Sequence, residues 1–210
     1  MALLTPLGSL PYPQPSDAAN IPQHMQSLAE AVDGRTVLRF ADQASLDAKI
    51  AAPVGGMLAF LTTPKQFVYH NGSVWSVLAP PPAHGANTGS GSTTSATYVE
   101  ALTGSTATTV SFTAPPSGTV LLTVGARISS SAATACYASV NVKNGTTTVL
   151  AAADTRAAIA TGTSALSATT QFQVTGLVAN TTYTATLAYK SAVTTSTATF
   201  TNRYITVTSM

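Results

Sequence analysis

Residues 170–190 read TQFQVTGLVANTTYTATLAYK and contain two runs in which apolar and polar side chains alternate strictly. The first run is centred on Phe172 and Val174, and the second extends over residues 183–189. Because successive side chains of a strand point to opposite faces, the alternation predicts two half-buried β-strands. The link between them, residues 176–180, has a turn former near each end, so we expect the two strands to form a hairpin.

The same alternation recurs through most of the chain after residue 97 and predicts eight or nine strands. The candidate strands are residues 98–102, 108–113, 118–129, 136–143, 146–151, 157–161, 168–175, 182–190 and 198–208. Within the last of these, Phe200 and Ile205 fall out of phase, which predicts a β-bulge near Asn202 and Arg203. So many strands predict an antiparallel β-sandwich, and a jelly roll fits the length better than a seven-stranded module.

The composition is unusual because only 8% of the residues are charged, although 45% are apolar. Ordinary soluble domains have about a quarter of their residues charged. The surface is therefore expected to consist of Thr, Ser, Asn and Gln, which is typical of extracellular and virion β-proteins. A net charge of +2 from scattered basic residues argues against nucleic-acid binding. The single cysteine, Cys136, excludes an intrachain disulfide.

The N-terminal residues MALLTPLGSLPYPQP contain no Lys or Arg, and prolines interrupt their apolar run. This pattern predicts neither a signal peptide nor membrane insertion. A protein made in a cytoplasm but composed like an extracellular one is typical of a phage structural protein. We therefore expect localisation to the surface of a virion.

The chain is expected to have four parts. Residues 1–35 form a Pro-rich anchoring arm and a short helix, residues 36–79 a small α+β hairpin module, residues 80–96 a Pro/Gly/Ser/Thr linker, and residues 97–210 the β-sandwich head. Prolines restrict the arm to an extended path, and Pro11, Tyr12 and Pro13 are candidate anchoring residues. The dipeptides Asn71-Gly72 and Asn144-Gly145 predict hairpin turns, the first with both residues at positive φ.

The best helix candidate is residues 20–33, where Asn20 is the expected N-cap and Gln23 stands in the capping-box position. Its apolar side chains follow a heptad-like spacing and would assemble or anchor the protein. These side chains are Ile21, Met25, Leu28 and Val32. A helix this short is marginal alone, so it packs either on its own domain or in a homo-oligomeric bundle.

The predicted head lacks the residues that catalysis would require. It contains no His, and Glu100 and Asp154 are its only acids, so a catalytic triad is impossible there and a glycosidase pair is disfavoured. No spacing predicts a cofactor or a metal site. Asp154 and Arg156 form the one charged group of their region, either as a loop ion pair or as a contact with a second subunit or a host surface.

Several segments resemble minor tail and fibre proteins of phages that infect actinobacteria. At the N-terminus these are LPYP at 10–13, SD at 16–17 and ANIP at 19–22, and in the middle AD at 41–42, GGM at 55–57 and YHNGSVW at 69–75. The segments 118–129, 149–156, 174–189 and 198–207 resemble the β-sandwich heads of such fibres. The resemblance implies a non-enzymatic virion protein, a homotrimer bound to other virion proteins through residues 1–35, with its head on host-surface glycan.

Four alternatives remain open. The segment VTGL at 174–177 followed by TY at 182–183 also resembles the tyrosine-corner strand pair of fibronectin type III modules, a second candidate fold. Because the chain has no long shaft, it could instead be a capsid fibre or decoration protein. A glycan-cleaving tail enzyme and a cellular adhesion module are less favoured, the first for its lack of acids and the second for its lack of an export signal.

Overall fold

The structure, a computed structural model, describes residues 3–4, 11–12, 20–32, 36–78 and 80–210. It divides into two compact units, residues 1–79 and 80–210. The described residues are mainly β-strand, with two α-helices, which confirms the predicted fold class. No helix among them has the length and apolar character needed to cross a bilayer.

The first unit begins with a short antiparallel pair, β1 (Leu3–Leu4) and β2 (Pro11–Tyr12), followed by α1 (Ile21–Val32). The predicted cap of α1 is confirmed, since Asn20 Oδ1 accepts the Gln23 N–H at 3.2 Å and Asn20 Nδ2 donates to Gln23 Oε1 at 3.0 Å. The rest of the predicted arm, Pro13 included, lies outside the described residues.

The α+β module contains β3 (Leu38–Phe40), α2 (Gln43–Lys49), β4 (Leu58–Leu61), β5 (Gln66–His70) and β6 (Trp75–Val77). The strands lie in this order, with β3 parallel to β4 and the other pairs antiparallel. Asp42 caps α2 by accepting the Ser45 N–H at 2.8 Å. Leu46 of the helix then packs with Ala59, Leu61 and Val68 in a small core.

The predicted hairpin at Asn71-Gly72 is present, but the expected turn geometry is wrong. Only Gly72 has positive φ, at 101°. Asn71 instead uses its side-chain Oδ1 to accept the N–H groups of Ser73 and Val74, both at 2.9 Å. An Asn side chain can replace a backbone acceptor in this way, so the turn does not require a second left-handed residue.

The second unit consists of antiparallel strands and one 3-10 turn. The strands are β7 (Ala83–Asn87), β8 (Gly91–Thr93), β9 (Thr109–Thr113), β10 (Val120–Ser130), β11 (Ala135–Asn144), β12 (Thr147–Leu150), β13 (Ala158–Thr161), β14 (Leu166–Val174), β15 (Thr182–Ser191) and β16 (Ala198–Ser209). The 3-10 turn, Asp154–Arg156, lies between β12 and β13.

These strands form two sheets, which we call the β16 sheet and the β15 sheet. The β16 sheet has the order β14-β10-β16-β7, with β8 beside β7 on the same edge of β16. The β15 sheet has the order β12-β11-β15-β9, with β13 beside β12 on the same edge of β11. We count β7 and β8 as one strand and β12 and β13 as another, and number the resulting eight strands in chain order. The two sheets then have the orders 1-8-3-6 and 2-7-4-5, which are those of a jelly roll.

The prediction of a linker at residues 80–96 is wrong. This segment contains β7 and β8, and both strands pair with β16. The head therefore begins well before residue 97. Its glycines are typical of a flexible segment, but at Gly85 and Gly91 close packing leaves no room for a side chain. A Cβ on Gly85 would lie 2.5 Å from the Thr109 carbonyl oxygen, and one on Gly91 would lie 2.8 Å from Leu102 Cβ. The predicted strand at 98–102 is instead reduced to isolated bridges at Val99 and Leu102.

The hairpin predicted within residues 170–190 is also wrong. Both strands are present, but β14 lies at an edge of the β16 sheet, whereas β15 lies inside the other sheet. The connection between them crosses the sandwich. Tyr183 anchors it, since its hydroxyl accepts the Val178 N–H at 2.9 Å. This bond is the tyrosine corner that the sequence suggested, here within a jelly roll rather than a fibronectin-like module.

The predicted bulge in β16 is confirmed. Gly125 pairs with Tyr204 and Arg127 with Thr201, so Asn202 and Arg203 together oppose a single residue of β10. Asn202 has a φ of 48°, the left-handed conformation that a bulge of this type requires. The extra residue keeps Phe200 and Ile205 on the same buried face of β16.

The bulge also directs Arg203 into the core, where the side chain is 0% exposed. Its Nη2 donates to the Gly89 carbonyl at 3.2 Å and to the Ser105 hydroxyl. The guanidinium carbon lies 5.7 Å from the ring centroid of Tyr189. An aromatic face and two neutral acceptors thus contact this cation, and the two acceptors connect β16 to the segment between β7 and β9.

We expect Arg203→Ala to destabilise the fold by about 3 kcal/mol, because it leaves a cavity in the core and removes the hydrogen bonds to Gly89 and Ser105. The matched control is Arg127→Ala on neighbouring β10, whose side chain is exposed. That change should alter the free energy of unfolding by less than about 0.5 kcal/mol. Urea unfolding of both variants measures the difference, and equal losses would contradict the role assigned to Arg203.

Candidate functional site

The candidate assembly residues of α1 form an exposed apolar stripe. Ile21, Met25 and Leu28 are 69%, 67% and 43% exposed, and Val32 is half-buried. No residue of α1 is buried within the described part of the chain. Of the other anchoring candidates, Pro11 and Tyr12 form β2, and Pro13 lies outside the described residues. The stripe leaves an unusually apolar helix face in contact with solvent.

Asp154 and Arg156 do not form the ion pair that their spacing suggested. Asp154 Oδ1 lies 2.7 Å from Lys190 Nζ, whereas Arg156 Nη2 donates to the Ala151 carbonyl at 2.7 Å. The Arg156 guanidinium carbon is 6.0 Å from the ring centroid of Phe172. A 3-10 turn has three residues per turn, so side chains two positions apart point in different directions. The predicted loop ion pair is therefore wrong, whereas a contact of these residues with a second subunit or a host surface stays a prediction.

Lys190 is the centre of a network on the outer face of the β15 sheet. Its Nζ lies 4.5 Å from the ring centroid of Tyr137, its cross-strand neighbour, and 5.1 Å from that of Tyr98. The Tyr98 hydroxyl donates to Asp154 Oδ1 at 3.0 Å. Both tyrosine rings are thus in contact with the same ammonium group, which an aromatic face attracts electrostatically.

A second ion pair lies on the same sheet. Lys143 Nζ is 2.7 Å from Glu100 Oε1, which also accepts from Asn141 Nδ2 at 2.7 Å. Asn141 Oδ1 in turn accepts the Ala152 N–H at 2.7 Å. The Asn141 side chain therefore connects Glu100 to the segment that leads to the 3-10 turn.

Ser139 completes the attachment of that segment. Its hydroxyl lies 3.2 Å from the Ala153 carbonyl and 3.1 Å from the Arg156 carbonyl, and it is fully buried. Sequence reasoning missed Ser139 and Asn141, because a polar residue at an alternate strand position is the normal pattern of a solvated face. No signal in the sequence marked either residue as covered by another segment.

The electrostatics of the network argue against acid catalysis. The hydrogen bond from Lys190 lowers the pKa of Asp154 below its ordinary value, so this carboxylate is ionised at neutral pH. Burial and the hydrogen bond to Asp154 raise the pKa of Tyr98. Glu100 and Asp154 are the only carboxylates of residues 80–210, and each is paired with a lysine. The network is therefore suited to holding segments on the sheet or to binding a polar partner.

No group of three possible metal-ligating side chains occurs among the residues that the structure describes. No protein-family model matches the sequence, and no curated protein matches it.

The lowered pKa of Asp154 predicts a small, pH-dependent contribution to stability. A carboxyl group with a lower pKa in the folded state stabilises the fold above its unfolded pKa, and the contribution disappears as pH falls through the folded value. Asp154→Asn should cost less than about 1 kcal/mol at neutral pH, because half of the Asp154 side chain is exposed to solvent, and nothing in strong acid.

Carboxyl NMR titration tests the assigned cause directly. Lys190→Met should raise the pKa of Asp154 towards that of a free aspartate, about 3.9. Lys143→Met removes the other ion pair and should leave the titration of Asp154 unchanged. Equal effects of the two lysine variants would show that Lys190 is not the specific cause.

Proposed function

We propose that this chain is a structural protein of a tailed phage particle, a trimeric tail-associated fibre or spike with a binding head. The observation that carries the proposal is the exposed apolar stripe of a capped helix near the N-terminus. The resemblance of several segments to phage fibre proteins and the low content of charged residues support it. The role is structural and adhesive, without catalysis.

The stripe supports assembly with further copies of the same chain. Its residues are spaced four, three and four positions apart, as the a and d positions of a coiled coil are. A helix of 12 residues is about 18 Å long and is marginal in water by itself. Three parallel copies would bury Ile21, Met25 and Leu28 against one another. Residues 1–35 would at the same time bind other virion proteins.

The jelly roll supports the role of a head domain. Jelly rolls recur in viral capsid proteins and lectins, so the fold permits this role but does not by itself establish it. In the proposal, the domain contacts the surface of the host cell, with glycan as the ligand class. A capsid fibre or decoration protein would use the same parts at a different location on the particle.

We expect the full chain to have the mass of a trimer in light scattering. Leu28→Glu places a charge in the centre of the stripe and should shift the protein to monomer, because a buried unpaired carboxylate is strongly unfavourable. Ser27→Glu introduces the same charge on an exposed position away from the stripe and should leave the trimer intact. A monomeric wild-type chain, or equal effects of the two variants, would contradict assembly through the stripe.

The position on the particle separates the two structural alternatives. A gold label attached to the C-terminus should appear at the tail in electron micrographs of intact particles. Labels distributed over the head would show a capsid fibre or decoration protein instead. Absence of the protein from purified particles would overturn the virion assignment itself.

A further inference from the structure

The tyrosine on the outer face of the β16 sheet differs in its setting from those of the Lys190 network. Tyr204 lies opposite Gly125, which in turn pairs with Thr169 on the next strand. A Cβ on Gly125 would be only 2.4 Å from Tyr204 Cζ, so the ring occupies the space directly above the glycine. The Tyr204 hydroxyl lies 2.7 Å from Thr169 Oγ1. The ring therefore lies along the sheet across three strands, and one of its faces is directed outward.

His84 extends this aromatic surface. Its ring centroid is 6.4 Å from that of Tyr204, and the two planes differ by 31°. The His84 side chain is exposed, and its Nδ1 lies 3.0 Å from Thr206 Oγ1 on the neighbouring strand. The hydrogen bond orients the imidazole beside the tyrosine ring, so the two rings form a shallow platform.

A row of polar side chains runs from His84 across the sheet. His84 pairs with Thr206, Thr206 with Thr123, and Thr123 with Gln171, so the row crosses four strands. Gln171 Nε2 donates to Thr123 Oγ1 at 3.0 Å. Neighbouring strands are about 4.8 Å apart, so hydroxyl and amide groups recur at that interval across the face. Each of these groups can donate or accept a further hydrogen bond.

The outer face of the β16 sheet has fewer charged side chains than the outer face of the β15 sheet. The outward positions of β10, β14 and β16 include a single charged side chain, Arg127, and no carboxylate. On the β15 sheet, by contrast, the rings of Tyr98 and Tyr137 already contact Lys190. Of these three tyrosines, only Tyr204 has a ring that does not contact a cation.

We propose that the outer face of the β16 sheet, centred on Tyr204 and His84, binds a neutral saccharide chain of the host surface. The inference rests on the proposed role of the domain as a binding head and names its site and ligand class. The C–H groups of a sugar ring pack on the electron-rich face of an aromatic ring. Sugar hydroxyls then bond to the Thr206, Thr123 and Gln171 side chains. A nucleic acid would instead require a cluster of cations.

Titration calorimetry of the full chain with maltohexaose, cellohexaose and laminarihexaose tests the proposal. At least one of these neutral oligosaccharides should bind. Tyr204→Ala should weaken that binding about tenfold or more, as removal of an aromatic anchor does at binding hot spots. Tyr204→Phe keeps the ring and should retain most of the affinity. Tyr137→Ala, a half-buried tyrosine of the other sheet, is the matched control and should have no effect.

His84→Ala tests whether a loss of binding could result from misfolding. Because His84 is exposed, its removal should weaken binding without lowering the unfolding temperature. Binding of none of the three probes, equal effects of Tyr204→Ala and Tyr137→Ala, or tighter binding of charged polygalacturonate would each overturn the proposal. Light scattering of the same samples separates the two proposals. A trimer that binds none of the probes refutes the saccharide platform alone, whereas a monomer that binds one refutes the oligomer alone.

Discussion

The jelly roll depends on one extra residue in its last strand. Without the bulge at Asn202 and Arg203, the residues after it would be on the opposite face from Phe200, and half of β16 would expose its apolar side chains. The bulge restores the phase, and it also buries a guanidinium group. Burial of a cation without a carboxylate partner is costly. The Tyr189 ring, the Gly89 carbonyl and the Ser105 hydroxyl offset part of this cost, although Nε and Nη1 have no hydrogen-bond partner among the described residues.

The hydrogen bonds of Arg203 also hold the first part of the domain on β16. The acceptors of Arg203 belong to the segment between β7 and β9, which is poor in large apolar residues. Fixing that segment on β16 places Val99 opposite Tyr189 at the edge of the other sheet. Tyr98 and Glu100, on either side of Val99, then reach Asp154 and Lys143 on the outer face. One buried side chain therefore connects both sheets to the charged network.

The two outer faces of the sandwich consequently have different chemistry. On the β15 sheet, ion pairs and hydrogen bonds hold two segments of the chain, and the aromatic rings already contact a cation. On the β16 sheet, Tyr204 lies over Gly125 beside neutral hydroxyl and amide groups. The proposed function uses both this aromatic surface and the exposed apolar stripe of the N-terminal helix as surfaces that bind partners.

Local patterns in the sequence determined most of the β-strands, the cap of the first helix, the apolar stripe and the bulge, because each follows from alternation, spacing or capping chemistry within a few residues. They did not determine which strands pair. Residues 170–190 look like a hairpin, since alternation shows which face is buried but not which sheet a strand joins. The strands at 83–87 and 91–93 look like a linker, because their glycines are required by contacts with residues distant in sequence. Only the tertiary structure could decide that Asp154 pairs with Lys190, that Ser139 is covered, and that the Tyr204 ring lies on Gly125. Each of these depends on residues distant in sequence that meet only after the strands of one sheet have paired.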